Sequence, residues 1–264
     1  MEPATDVLLT QIDDGVAVVT MHRPERRNAL NGALRTALFA SIAALDADPD
    51  VRVIVLTGSD PAFCAGLDLV ELGSGGNPST AGQAATVRRE STRPFGDHST
   101  PIIGAVNGAA ITGGFELALN CDLLVASERA RFADTHARVG VMPGWGLTAL
   151  LADAVGTRRA TEISLTGNFV TAEQALTWGL VNHVVPHDEL LPTALRIATD
   201  IAGNDPAGVA RMAQTYREQA AARLADAWMI EGAAATQYRA QFGTDPSRVE
   251  SRRRQIIERG RTQI

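Results

Sequence analysis

Two glycine turns, each following a β-branched strand, constrain this chain more than any other feature. The first is Phe63-Cys64-Ala65-Gly66-Leu67-Asp68-Leu69, a short loop after the apolar run Val51 to Thr57. The second is Asn107-Gly108-Ala109-Ala110-Ile111-Thr112-Gly113-Gly114-Phe115-Glu116-Leu117, directly after the apolar run Ile102 to Val106. Glycine permits the close backbone approach that a strand–turn–helix joint needs. The first turn of the following helix leaves backbone N–H groups without intrahelical acceptors, which suits an anion. Two such joints facing each other would hold one developing oxyanion. The same spacing also fits two ordinary tight turns, with Gly113 and Gly114 there for packing alone.

Around these joints the chain alternates in the α/β manner. Val16 to Met21 reads as a strand, and Asn31 is placed to cap a helix with helical apolar spacing over residues 33–48. Further strands are expected at Leu123 to Ala126 and from Arg131, and helical sequence over 83–96. The tract 73–82 (GSGGNPSTAG) has the composition of a surface loop. From about Leu147 onward the chain reads as mostly helical, with a capping box at Thr171 and Gln174. No repeat at a fixed period is visible. A boundary near residue 200 divides a core domain, 1–200, from a helical C-terminal region, 201–264.

Composition narrows the function. A formal net charge of −6 over 264 residues argues against general nucleic-acid binding. All 24 basic residues are arginine, so no lysine can form a Schiff base or serve a Walker-type phosphate loop. Two cysteines make no disulfide framework and fit a reduced, cytoplasmic setting. The acidic N-terminus does not read as a signal peptide, and no apolar run reaches the ~18 residues of a membrane span. There is no G-x-S-x-G nucleophile elbow. The five histidines and two cysteines show no zinc spacing, so no metal is expected. His183 and His187 are four apart, but Pro186 interrupts any helical register between them.

Taken together, HRPERRNAL at 22–30, FCAGLDL at 63–69, NGAAITGGFELALNCDLLVAS at 107–127, RFADTHARVGVMPGWG at 131–146, LTG at 165–167 and AEQALTWGLVNHVV at 172–185 resemble the crotonase (enoyl-CoA hydratase/isomerase) superfamily. The resemblance covers residues 7–200 in order. It implies a spiral of ββα units with a helical C-terminal region that assembles trimers or dimers of trimers. It implies an acyl-CoA thioester as substrate, coenzyme A being part of that substrate, and no separate cofactor. It places the oxyanion donors at the backbone N–H groups of Leu67 and Gly113, and an acid/base carboxylate at Glu116. It also implies that Arg27, Ala29, Ala65, Asp68 and Leu69 line the CoA groove and that Trp145 borders the acyl pocket, although a core position fits Trp145 equally.

The chain departs from the family pattern at one position. Hydratases of this family usually carry a second glutamate twenty residues after the first, and here that residue is His136. Imidazole moves protons near neutrality, so a hydratase with Glu116 and His136 as its pair is the expected function. An isomerase, a hydrolase, a decarboxylase or a weakly catalytic acyl-CoA-binding subunit fits the substitution too. Asp134, two residues earlier, either assists or points away along its strand. The basic run Arg252-Arg253-Arg254 suits a solvated helix face, or phosphate contacts across a subunit boundary.

Overall fold

The computed structural model describes residues 7–73, 93–243 and 246–262. Residues 83–92 of the expected helix and 74–82 of the loop tract lie outside the described residues, and 93–96 form a turn rather than the expected helix.

The fold begins with an antiparallel hairpin, β1 (Leu8–Asp13) and β2 (Val16–Met21), followed by α1 (Gly32–Asp46). Asn31 caps α1 through its side chain, which accepts the Leu34 N–H at 2.9 Å. The same strand–strand–helix unit then recurs three times. The units are β3 (Val53–Gly58), β4 (Ala62–Cys64) and α2 (Leu69–Gly73); β5 (Ile102–Val106), β6 (Ala109–Ile111) and α3 (Gly113–Leu119); and β7 (Leu123–Ser127), β8 (Arg131–Ala133) and α4 (His136–Val139).

The first strand of each unit enters one sheet and the second strand enters another. After α5 (Leu147–Val155), α6 (Thr157–Thr166), β9 (Val170–Thr171), α7 (Ala172–Thr177) and β10 (His183–Val185), the six-stranded sheet has the order β1-β2-β3-β5-β7-β10. The four-stranded sheet has the order β4-β6-β8-β9. Pairing is parallel from β2 to β10 in the first sheet and from β4 to β8 in the second. This is the expected spiral of ββα units. The short strands β4 and β6 fall within the segments read from sequence as loop and turn.

Successive residues of β3 face opposite sides, as strand geometry requires, yet both sides are apolar because both are covered. Ile54 and Leu56 join Leu34, Leu38 and Ile42 of α1 and Phe115 of α3 in the main core. Val53 and Val55 pack with Ile103, Val125 and one face of α8 (Leu190–Ala202), whose Leu190, Ala194 and Ala198 are buried at helical spacing.

The remaining chain forms α9 (Pro206–Phe242) and α10 (Pro246–Arg261). Asp205 caps α9, accepting the Gly208 N–H at 2.7 Å, and Pro206 occupies the first turn where its missing N–H costs nothing. The last helix returns to the core and packs against α2 and α4.

Candidate active site

The two glycine turns meet. The strip 27–30 runs alongside 65–68: Ala65 N donates to Arg27 O, Leu30 N to Gly66 O and Asp68 N to Leu30 O, at 2.7–3.1 Å. In such parallel pairing the residue between two bonded ones turns its N–H the other way. That residue is Leu67, and among the described residues its N–H makes no backbone bond. Gly66 sits at φ +88, and a Cβ there would lie 2.7 Å from Ile111 O.

On the second turn, Thr112 adopts φ +54 and ψ −113, a conformation that costs a non-glycine residue about 1–3 kcal/mol. Its N–H is tied to Ala133 O and its carbonyl accepts from Glu116 N, so the turn is held from both sides. Gly113 is then the first helical residue, and its N–H has no intrahelical acceptor. A Cβ on Gly114 would meet Cys64 O at 2.1 Å, so packing accounts for that glycine. A Cβ on Gly113 would meet nothing nearer than 3.5 Å, so packing does not account for it.

Glu116, one turn into α3, is 3% exposed. Its Oε1 accepts N–H bonds from Gly144 at 3.1 Å and Trp145 at 2.7 Å. Its Oε2 faces His136 Nε2 at 3.5 Å. His136 Nδ1 in turn lies 2.6 Å from Asp134 Oδ1, which also accepts the His136 backbone N–H at 3.0 Å. The three groups form a buried row, carboxylate–imidazole–carboxylate.

Burial alone would lower the His136 pKa, but the hydrogen bonds and charges of Asp134 and Glu116 override it and raise it to about 10. Burial would likewise raise the Asp134 pKa, yet the bond to His136, with help from Ser164, holds it below the ordinary carboxylate value. At neutral pH His136 is therefore an imidazolium between two carboxylates.

The other predicted site residues divide into two groups. Ala65, Leu67 and Leu69 line a cavity of about 90 Å³ together with Thr112, Thr135 and, from α10, Ile256 and Gly260. Glu116 and His136 are not part of its wall; the wall carries the residues just before Gly113 and His136, whose hydroxyls, on Thr112 and Thr135, pair at 2.5 Å. Trp145 places its ring edge beside Gly113 and stacks edge-on with Phe39 at 5.7 Å. It serves both as packing and as a wall of the second glycine turn.

Asp68 and Arg27 contribute differently from the expectation. The Asp68 side chain pairs with Arg23 at 3.1 Å and accepts the Val70 N–H at 3.0 Å, so it secures the first glycine turn. Arg23 also donates to Ala29 O, joining the 27–30 strip to the same knot. Arg27 is exposed, and its backbone carbonyl is the part bonded to the turn. His187 bridges Ser127 and Asp60 at 3.0 Å each.

Comparison with known proteins establishes the family. The sequence pattern of the enoyl-CoA hydratase/isomerase family matches residues 11–252. The chain belongs to this family. Among relatives of this enoyl-CoA hydratase/isomerase family member, the probable peroxisomal enoyl-CoA hydratase 1 of Arabidopsis thaliana is 41% identical over 219 residues, 82% of this chain and 80% of that one. The crystal structure of an enoyl-CoA hydratase from Mycobacterium smegmatis superposes with a TM-score of 0.81 at 43% identity, over 90% of this chain and 100% of that one. A monofunctional enoyl-CoA isomerase of the same organism superposes with a TM-score of 0.67 at 33% identity, over 82% of this chain and 94% of that one.

Proposed function

We propose that this family member adds water across the double bond of a 2-enoyl-CoA, with Glu116 moving the proton and the Leu67 and Gly113 N–H groups holding the thioester oxygen. One observation carries the reading: Glu116, one turn after Gly113 on α3, commits Oε1 to the Gly144 and Trp145 amides, while Oε2 takes no backbone bond and faces His136 Nε2 at 3.5 Å. A water oxygen bonds to Cβ as Oε2 takes its proton. The π electrons of the enoyl group move onto the thioester oxygen, giving an enolate held by two N–H groups. The same Oε2 then returns a proton to Cα, which restores the carbonyl and regenerates the carboxylate. Stabilisation counts because the enolate accepts those hydrogen bonds more strongly than the neutral thioester does.

His136 enters as a cation. An imidazolium with a pKa near 10 is mismatched as a proton donor at neutral pH. Its role is to fix Oε2, with Asp134 holding the ring by Nδ1. The relatives named as enoyl-CoA hydratases support the reaction class. The cavity beside Leu67 and Leu69 supports a CoA thioester reaching the turn from that side, along Ala65 and near Ala29. Assembly, as a homotrimer or a dimer of trimers, is supported by the exposed large side chains of α9, Met212, Tyr216, Met229 and Ile230.

The test is turnover of a 2-enoyl-CoA panel, followed by mass spectrometry for the gain of one water. Glu116→Gln removes the proton carrier and is expected to lower kcat by at least ~100-fold. Undiminished hydration by that variant would overturn the assignment. A second reading, double-bond isomerisation, is favoured by the same single available carboxylate oxygen. Conversion of a 3-enoyl-CoA at constant mass, without hydration of any 2-enoyl-CoA, would select it.

A further inference from the structure

The loop that holds Glu116 is itself held by a second buried carboxylate, which comes from the C-terminal region. Gly144 and Trp145 donate to Glu116 from one side of this loop. From the other side Glu231, on α9, accepts Gly146 N at 2.7 Å, Thr148 N at 2.7 Å and the Thr148 hydroxyl at 2.5 Å. Glu231 is 3% exposed, although its neighbours Met229 and Ile230 are more than 60% exposed. Carboxylates are rarely buried to that degree without a specific set of donors.

Trp228, three residues earlier and on the same helix face, closes the other half of the contact. Its ring lies against Gly146, where an added Cβ would stand 2.1 Å from Cη2. Gly146 also has φ +86, so only glycine meets both the ring and the turn without strain. Asn120, which caps the C-terminal end of α3, donates to Trp145 O at 2.9 Å and to Glu116 O at 2.8 Å, which ties the loop to the helix that carries Glu116.

We propose that Glu231, with Trp228 beside it, is a positioning residue: it clamps the 144–148 loop so that the Gly144 and Trp145 N–H groups fix Glu116 Oε1 and aim Oε2. The C-terminal helix thereby takes part in ordering the proton carrier, beyond any role in assembly. The inference rests on the reading of Glu116 as that carrier. Displacements of an ångström at a reacting group reduce rates steeply, whereas ground-state binding through the CoA groove is untouched by this contact.

The test uses Glu231→Gln, which keeps the shape but replaces one acceptor oxygen by an N–H₂ facing a donor. Expected are a kcat lower by roughly tenfold to a hundredfold with KM within about threefold, and an upfield shift of the Trp145 amide proton resonance as its bond to Glu116 lengthens. Thr148→Val, which deletes one donor without stranding a charge, is expected to move both readouts the same way by less. It serves if Glu231→Gln fails to fold. Wild-type kcat and an unmoved Trp145 amide in a folded variant would overturn the clamp. Glu116→Gln, measured in parallel, separates the two ideas: full activity there removes the catalytic reading and the clamp's role with it, whereas inactivity there beside a fully active Glu231→Gln overturns the clamp alone.

Discussion

Asp134 Oδ1 binds His136 twice, accepting the backbone N–H at 3.0 Å and facing ring Nδ1 at 2.6 Å. An Asx-type bond of this kind closes a local turn, and here it also fixes which ring nitrogen is left for Glu116. Because α4 begins at His136, Asp134 does not continue β8 and its side chain folds back to the same side.

Asp134→Asn keeps the turn and removes the charge. The His136 pKa is expected to fall, since its largest favourable contribution is the bond to Asp134. The kcat is expected to drop by roughly tenfold while KM stays within a fewfold, as for removal of a group that orients a catalytic partner. NMR titration of the His136 ring and steady-state kinetics check both parts. An unchanged ring pKa would contradict the row of charges.

The same row predicts a pH dependence of stability. A histidine whose folded pKa is raised stabilises fully below its unfolded value of about 6.5 and loses that contribution as pH rises to about 10. Asp134, whose pKa is lowered, contributes above its unfolded value and loses the contribution as pH falls below it. Urea unfolding of wild type against His136→Gln should therefore show a difference that shrinks steadily between pH 6.5 and 10. A difference independent of pH across that window would place a neutral ring at 136.

Gly66→Ala tests the first glycine turn. The alanine would sit at φ +88 with Cβ 2.7 Å from Ile111 O. A destabilisation of about 1–3 kcal/mol is expected, with a loss of kcat as the Leu67 N–H rotates away. Gly113→Ala is the contrast, since its Cβ meets only ordinary contacts. That variant should keep its stability within about 1 kcal/mol and, on the proposed function, lose activity by filling the space before the Gly113 N–H.

Arg23→Met strands Asp68 at a site where both side chains are under 15% exposed. The expected cost is about 1.5–3 kcal/mol, the range for hydrogen bonds to charged groups, together with a lower kcat. Asp68→Asn should act in the same direction. A rise in KM with stability unchanged would instead return Asp68 to the CoA groove.

Much of this protein was determined by local sequence. The strand before each glycine turn, the Asn31 cap, the capping box at Thr171 and Gln174, and the family pattern with Leu67, Gly113 and Glu116 in order are all properties of contiguous residues. The strands β4 and β6 were not legible, because three-residue strands carry no period and exist only once a second sheet pairs them.

Tertiary structure decided which groups meet. That Asp68 belongs to Arg23, that the Gly144 and Trp145 amides take Glu116 Oε1, and that Glu231 reaches the same loop from a helix about 85 residues further along follow from packing between elements distant in the chain. No local pattern records such contacts. The family resemblance assigns the glycine turns to an oxyanion grip, whereas the commitment of Glu116 Oε1 to the Gly144 and Trp145 amides, with Oε2 turned to His136, depends on buried groups that find partners only when the core closes.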